Sequence, residues 1–195
     1  MTCVVALTNG TDVWMGGDAA GIDDDHAYDI RSTPKVFRRY SESKNTQWLF
    51  GFSGNFRIGQ LIEHSLVLPD PPNLHPKALK GFVIREVVKR LRDCLSENKA
   101  LISKGGAVTM DDTMILIGVA GFIFLIEPEF QVVCSRKPYE AIGGAATVAK
   151  GSMYTSGKVD PGLDPRSRIK IALAAAKQHN AAVQEPFTIV STKTK

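Results

Sequence analysis

The sequence lacks a hydrophobic run long enough to cross a membrane. Its longest apolar stretch, residues 114–126, is interrupted by Gly118 and Gly121, whereas a membrane-spanning helix needs about 20 apolar residues. The first residues also lack the basic segment that precedes the apolar core of a secretory signal. These absences predict a cytoplasmic protein that has no membrane partner.

Cysteine is scarce, and its spacing excludes two further classes of protein. Cys3, Cys94 and Cys134 are an odd number without paired or metal-like spacing, which argues against a disulfide framework and against a cysteine-based zinc site. We expect these thiols to be reduced and mostly buried.

Charge is spread along the chain rather than concentrated. The formal net charge is +4, which permits weak attraction to polyanions. The basic residues are scattered, apart from Arg38-Arg39 and the segment 89–92, and no nucleic-acid-binding motif accompanies them. We therefore expect solvated surface there and no nucleic-acid partner.

A strong hairpin signal stands near the start of the sequence. Two apolar runs, 3–7 and 13–15, flank Asn9-Gly10. Asn-Gly between β-rich runs is typical of a type I′ turn, in which both central residues have φ > 0. The hairpin would bring Thr2 and Asp18 together at its open end.

Apolar periodicity predicts the remaining elements. In chain order they are strands over 35–40 and 47–53, helices over 58–66 and 75–98, a glycine-containing loop over 103–110, strands over 113–119, 122–127, 131–135 and 140–142, helices over 145–154 and 165–180, and a strand over 187–192. Because the helices come in pairs, this order favours the α+β class, with two antiparallel sheets face to face and helix pairs outside. We expect a single domain over 1–195, in which 193–195 form a frayed tail.

Thr2 is the first candidate functional residue. Removal of Met1 would give Thr2 a free α-amine beside its hydroxyl. Such an amine has a pKa of about 7.7–8.0, and an adjacent terminal amine is one recognised way to activate a hydroxyl nucleophile. The alternative is an ordinary Met-Thr start without catalytic meaning.

Two other segments invite functional interpretations. The acidic segment 23–26, with Asp29, has residue types that bind cations, but the EF-hand spacing is absent and a solvated loop is the alternative. Gly143-Gly144 suggests a phosphate-binding loop, yet neither Lys150 nor Lys158 has the required glycine spacing followed by Ser or Thr. We therefore predict neither a metal site nor a cofactor.

Four segments in register resemble the N-terminal nucleophile (Ntn) hydrolases, specifically proteasome β-type subunits and HslV-like peptidase subunits. The segments are Thr2, Gly17-Asp18, Pro34-Lys35-Val36 and Gly51-Phe52-Ser53-Gly54, and the similarity covers Thr2 to about Ser191. The spacing from Thr2 to Asp18 matches the family without a gap, and Lys35 needs a one-residue insertion. The resemblance implies a four-layer αββα sandwich and a threonine-type endopeptidase.

The resemblance also implies catalytic roles for four residues. Thr2 Oγ would attack the peptide carbonyl, with the freed α-amine as general base through a water. Lys35 would keep the local potential positive, and Asp18 would hold it, because an unpaired buried ammonium is costly. The backbone N–H of Gly54 would face the developing oxyanion. For Asp18 and Lys35 the alternative is a structural ion pair at a strand end.

Substrate contacts follow from the same resemblance. The backbone of Gly21 and Ile22 would pair with an extended substrate, as in strand addition. Phe52 and Ile22 would line the pocket for the residue before the cut, which suggests an apolar preference. The expected partners are a peptide or unfolded-protein substrate, other copies in a homo-oligomeric ring, and an ATP-dependent unfoldase.

The sequence departs from the family pattern at two places. Gly143-Gly144-Ala145 stands where the family usually has Gly-Ser-Gly, so a serine hydroxyl is missing. Asn180 lies where the family often has an aspartate. These departures leave two alternatives open, a catalytically weak or inactive structural or assembly subunit and a small-molecule Ntn amidohydrolase.

Overall fold

Two antiparallel sheets form the centre of the fold. The computed structural model describes residues 2–22, 28–72 and 75–192, and only the backbone of Ile22, Tyr28 and Pro76. The strands are β1 Val4–Thr8, β2 Val13–Gly17, β3 Ala20–Ile22, β4 Tyr28–Ile30, β5 Val36–Tyr40, β6 Gln47–Ser53, β7 Ile102–Lys104, β8 Ala107–Thr109, β9 Met114–Val119, β10 Phe122–Ile126, β11 Val132–Cys134, β12 Tyr139–Ile142 and β13 Thr188–Ser191. One sheet has the order β12-β1-β2-β13 and the other β11-β10-β9-β6-β5.

Helices cover the outer face of each sheet. They are α1 Phe56–His64, α2 Pro76–Phe82, α3 Val88–Glu97, α4 Ala146–Val159 and α5 Pro165–His179, with a π-helical turn, Val83–Val87, between α2 and α3. Helices α4 and α5 pack on the four-stranded sheet, and α1 to α3 pack on the five-stranded sheet. The architecture is the predicted αββα sandwich of the α+β class. No helix in the described ranges is both long and apolar enough to span a bilayer.

Each central strand is buried on both of its faces. In β1, Val5 faces the α4–α5 layer, whereas Val4 and Ala6 face the layer between the sheets. In β6, Phe50 faces the helices and Leu49 the opposite sheet. Side chains alternate along a strand, so a slip of one residue would exchange the two apolar layers, and the register is strongly specified.

The predicted N-terminal hairpin is confirmed, but its turn type was wrong. Strands β1 and β2 pair from Val4↔Gly17 to Thr8↔Val13, which leaves a four-residue loop. Gly10 has φ +93°, whereas Asn9 does not have the positive φ that a type I′ turn requires. Instead, Asn9 Oδ1 accepts hydrogen bonds from the N–H groups of Thr11 and Asp12, at 2.9 and 2.8 Å, which is the local bonding that favours Asn in turns.

Two small hairpins were not predicted. Strands β7 and β8 occupy most of the segment predicted as a loop over 103–110, turning through Gly105 and Gly106, which both have positive φ. Strands β3 and β4 pair around the acidic segment, with Gly21 opposite Asp29. The candidate cation ligands at 23–26 lie outside the described residues, as does the predicted frayed tail.

Candidate active site

The side chain of Asp18 closes the open end of the β1–β2 hairpin. Asp18 directly follows β2, and its N–H donates to the carbonyl of Cys3 at 3.2 Å. Its carboxylate accepts hydrogen bonds from the N–H of Cys3 at 2.9 Å and of Ala20 at 3.0 Å. The hairpin therefore places this carboxylate against the backbone of the residue that follows Thr2.

Lys35 forms a buried ion pair with Asp18. Its Nζ donates to both carboxylate oxygens at 2.9 Å, and each residue is only 1% exposed. Lys35 lies immediately before β5, and its carbonyl accepts the N–H of Phe52 at 3.0 Å, which fixes it to β6. Burial lowers the pKa of Lys35 below its ordinary value, although the charge of Asp18 acts in the opposite direction.

The backbone of Thr2 is fixed through its carbonyl group. Thr2 is buried, with 5% exposure, and its carbonyl oxygen accepts a hydrogen bond from the N–H of Ala145 at 3.5 Å. Gly143 has φ +96°, and a Cβ built on it would overlap that carbonyl and lie 2.6 Å from its carbon. Only glycine allows the chain after β12 to approach Thr2 this closely.

Cys3 does not compete with Thr2 as a nucleophile. Its side chain is fully buried in the layer between the four-stranded sheet and α4–α5. Burial, and after it the negative charge of Asp18, raises the pKa of the Cys3 thiol to about 12. A thiol with such a pKa stays protonated near neutrality, and the thiolate is the reactive form.

Gly54 lies at the junction of β6 and α1. Its φ is +116°, and a Cβ on it would lie 2.7 Å from Thr113 Oγ1. The same hydroxyl oxygen accepts the N–H of Asn55 at 3.0 Å, and Asn55 caps α1 by accepting the N–H of Arg57 at 2.8 Å. Gly54 therefore lies next to the N-terminus of a helix, where the partial charge is positive.

The predicted substrate-binding residues lie beside this site. Gly21 is in β3, with the side chain of Arg31 packed against its backbone. Phe52 is 2% exposed in the helix-side core, edge-on to Phe56 at 5.5 Å between ring centroids. The Phe56 ring lies 5.9 Å from Lys35 Nζ. Ile22 contributes its backbone to β3, and its side chain lies outside the described residues.

Asn180, considered as a substitute for an aspartate, serves the turn after α5. Its Oδ1 accepts the N–H of Ala182 at 3.0 Å. The segment that follows approaches the site through the carbonyl of Gln184, which accepts the N–H of Ala19 at 2.9 Å. Asn180 thus stabilises the chain that borders the residue after Asp18.

Sequence reasoning missed two hydroxyl groups near the site. Thr113 is buried and supports the Gly54–Asn55 backbone, and no local pattern marks it, because it lies 59 residues further along the chain than Gly54. Ser53 was part of the quoted motif without a role. Its Oγ lies 3.1 Å from the position a Cβ of Gly143 would take. Both are strand-end positions, and only the sheet register brings them to the site.

Comparison with known proteins identifies the fold. No protein-family model matches the chain, and no curated protein matches its sequence. BPH from Thiobacillus denitrificans, solved in complex with epoxomicin, matches with a TM-score of 0.75 and 15% identity over 98% of both chains. HslV from Trypanosoma brucei matches with a TM-score of 0.66 and 16% identity, over 97% of this chain and 98% of that one. Anbu, an ancestral beta-subunit, from Yersinia bercovieri has a TM-score of 0.64 and 13% identity, over 97% and 80%.

The αββα sandwich is therefore the Ntn hydrolase fold. Within that fold class, the chain has the proteasome-like architecture shared by HslV and Anbu. The resemblance predicted from four short segments is confirmed at the level of the fold.

Proposed function

We propose that the chain is a proteasome- and HslV-like threonine endopeptidase subunit, in which Thr2 becomes the N-terminal nucleophile once Met1 is removed. The proposal is carried by the buried pair of Lys35 and Asp18, whose carboxylate also binds the N–H of Cys3. One oxygen, Asp18 Oδ1, is within hydrogen-bond distance of both the ammonium and the backbone beside Thr2. A single carboxylate thus binds the ammonium and the peptide N–H that follows Thr2.

The proposed reaction has two covalent steps. In acylation, Thr2 Oγ bonds to the substrate carbonyl carbon while its proton passes through a water to the α-amine. The peptide C–N bond breaks, and the leaving amine takes that proton from the α-ammonium. In deacylation, a water attacks the ester and gives a proton to the α-amine, the ester C–O bond breaks, and Thr2 Oγ recovers a proton from the α-ammonium.

Lys35 assists these steps through its positive charge. An ammonium has three N–H donors, and in the described part of the chain Asp18 accepts two of them. We assign the third donor to Thr2 Oγ, where it stabilises the developing alkoxide. In that position the ammonium would also favour the neutral form of the α-amine, which is the form that acts as a base.

Gly54 supplies the oxyanion donor in this proposal. Its N–H lies at the N-terminal end of α1, where the helix dipole favours negative charge. Removal of one oxyanion donor typically costs about 3 kcal/mol of transition-state stabilisation. Glycine is needed because of the positive φ and the close Thr113 side chain.

The proposed substrate binds as an added strand on β3. In the described ranges β4 pairs with one edge of β3, so the other edge, including Gly21 and Ile22, is open to an extended peptide. Phe56, which is partly exposed, would give the pocket an apolar wall, and the buried ring of Phe52 would support it from behind. Selectivity would come from enclosure in a homo-oligomeric ring, with an ATP-dependent unfoldase delivering unfolded protein.

A second candidate function is a non-catalytic assembly subunit with the same fold. The observation that favours it is the absence of a hydroxyl in Gly143-Gly144-Ala145, the segment that contacts Thr2. For such a subunit, light scattering would show the same assembly in the wild-type chain and in Thr2→Ala. Its peptide turnover would be negligible and equal in the wild-type chain and in Thr2→Ala.

The deciding experiment combines the mass of the purified chain with an active-site probe. We expect loss of Met1 and a single adduct of epoxomicin, or of a peptide aldehyde, on Thr2. Thr2→Ala should lose both adduct and turnover, whereas Thr155→Ala, which changes an exposed threonine on α4, should keep both. An intact Met1, or a mature chain without an adduct, would refute the peptidase and favour the assembly subunit.

A further inference from the structure

Strand alternation directs Ser53 and Thr2 toward each other. In β6, Trp48, Phe50 and Phe52 face the helices, so Ser53, the next residue, faces the opposite sheet. Cys3 directly precedes β1, still pairs with Asp18 through its carbonyl, and faces α4 and α5, so Thr2, the residue before it, faces the five-stranded sheet. The two side chains therefore point into the same layer from its two sides.

Packing distances place them at the same end of that layer. A Cβ built on Gly51 would lie 2.7 Å from Val4 Cγ1, so these two positions touch across the layer. Thr2 comes two residues before Val4, and Ser53 two residues after Gly51. Gly143 lies between them, since its Cβ would lie 3.1 Å from Ser53 Oγ and 2.6 Å from the carbonyl carbon of Thr2.

The Ser53 hydroxyl has no structural use within the described ranges. It forms no hydrogen bond there, and the residue is partly exposed. By contrast, the hydroxyl of Thr113, at the start of the neighbouring strand, binds the N–H of Asn55. The layer that Ser53 faces is lined mainly by apolar residues such as Val4 and Leu116, and Thr2 is the polar residue that faces it from the other sheet.

We propose that Ser53 is a positioning residue whose hydroxyl holds the α-amine of Thr2. This inference rests on the proposed function. Ser53 Oγ accepts a hydrogen bond from the α-ammonium when the amine carries the proton of Thr2 Oγ, and it thereby directs that proton toward the leaving nitrogen. Ser53 keeps its own proton throughout, so the proton count of both covalent steps is unchanged. The hydroxyl reaches the site from β6 instead of from the segment 143–145.

The proposal has a signature that a merely structural serine lacks. A hydrogen bond accepted from the charged amine favours the charged form. Removal of the hydroxyl should therefore move the acidic limb of the kcat–pH profile to lower pH while kcat falls. Loss of packing would lower the rate without shifting that limb.

The experiment compares Ser53→Ala, Ser53→Thr and the control Ser103→Ala in β7, on the mature chain with a fluorogenic peptide. We expect Ser53→Ala to lower kcat by about ten- to hundred-fold, the usual range for one hydrogen bond to a charged group, with KM unchanged and the acidic limb shifted down. Ser53→Thr should stay within about three-fold of the wild type, since the hydroxyl is retained. Ser103→Ala should match the wild type.

Wild-type kcat and an unshifted limb in Ser53→Ala would overturn the role of Ser53 while leaving the peptidase intact. A wild-type chain that binds no probe would instead refute the proposed function, and with it this inference. If Ser53→Ala misfolds, Ser53→Cys provides the same comparison, because a thiol of similar volume is a weak acceptor.

Discussion

The Lys35 ammonium donates to both carboxylate oxygens of Asp18, at 2.9 Å each, and neither residue is more than 1% exposed. Burying two charges is expensive, and a buried ion pair often contributes less to stability than apolar residues of the same volume. A contribution to stability is therefore a weak explanation for the presence of this buried ion pair. The proposed function supplies another reason for the pair, a positive charge near the proposed nucleophile Thr2.

The first prediction concerns the cost of separating this pair. Asp18→Asn should lower the free energy of unfolding by about 3–5 kcal/mol, because it leaves a buried ammonium without a counter-charge. Asp93→Asn, which breaks the exposed pair of Lys89 and Asp93, should cost about 1 kcal/mol or less. Urea unfolding measures both. Equal, small effects would mean that Asp18 does not neutralise Lys35.

The second prediction separates stability from activity. Lys35→Met alone leaves the Asp18 carboxylate buried without a cation, whereas Lys35→Met with Asp18→Asn removes both charges. The double variant should be more stable than the sum of the single effects predicts, since residues in contact are not additive. It should nevertheless form no probe adduct on Thr2. A double variant that retains peptide turnover would contradict the assigned role of Lys35.

The third prediction is the alkaline limb of the activity profile. Burial lowers the pKa of Lys35 from 10.5, so the ammonium is lost, and turnover falls, at a lower pH than for an ordinary lysine. The stability effect has the opposite sign. Between the lowered pKa and 10.5 the unfolded chain binds more protons, so the Lys35 contribution to the free energy of unfolding rises with pH. Burial raises the pKa of Cys3 to about 12, which lowers stability with rising pH over the same range, so the Lys35 contribution is measured as the difference in unfolding free energy between the wild type and Lys35→Met. That difference should rise with pH while the initial rate of the wild type falls, and a difference that does not rise would contradict the assignment.

The fourth prediction tests the close approach at Gly143. Gly143→Ala should destabilise the chain by more than the about 1–2 kcal/mol that left-handed backbone costs a non-glycine residue, because the new Cβ overlaps the Thr2 carbonyl. Gly105→Ala is the matched control, with φ +61° and no atom within 4 Å of its Cβ. Thermal unfolding distinguishes them, and equal losses would mean that the Thr2 backbone moves aside without cost.

The fifth prediction concerns the thiols. Since burial raises the pKa of Cys3 to about 12, iodoacetamide at pH 8 should leave it unlabelled in the folded chain. Cys134, which is partly exposed, should be labelled first, and turnover should persist. Mass spectrometry of digested protein identifies the labelled residues. Loss of turnover together with alkylation of Cys3 would indicate thiol chemistry rather than threonine chemistry.

Strong local signals made much of the fold predictable. Asp164-Pro165 marks the start of α5, and the Asp164 carboxylate accepts the N–H of Ser167 at 2.9 Å as an N-cap. Helix α4, in contrast, runs to Val159, five residues beyond its predicted end. Gly151 and Gly157 weaken the helical signal, but Gly157 packs closely against Arg168 of α5, and tertiary contact overrides propensity.

The site was only partly predictable, because its members come from separate elements. Asp18 and Lys35 were identified through the family resemblance, and their pairing agrees with the arrangement it implied. Ser53 and Thr113 acquire their positions from sheet register and from the packing of one sheet on the other. Such relationships join residues that are distant in sequence and leave no periodic trace.

Thr2 lies beside a strand of one sheet, whereas Lys35 and Gly54 lie at the ends of strands in the other sheet. Their alignment depends on the apolar contacts, such as that of Val4 with Gly51, that keep the two sheets from sliding. In the proposed peptidase, a truncated side chain in this layer would displace Thr2 relative to Lys35 and Gly54 before it unfolded the protein. Turnover would therefore respond to small changes in the relative position of the two sheets that an unfolding curve does not detect.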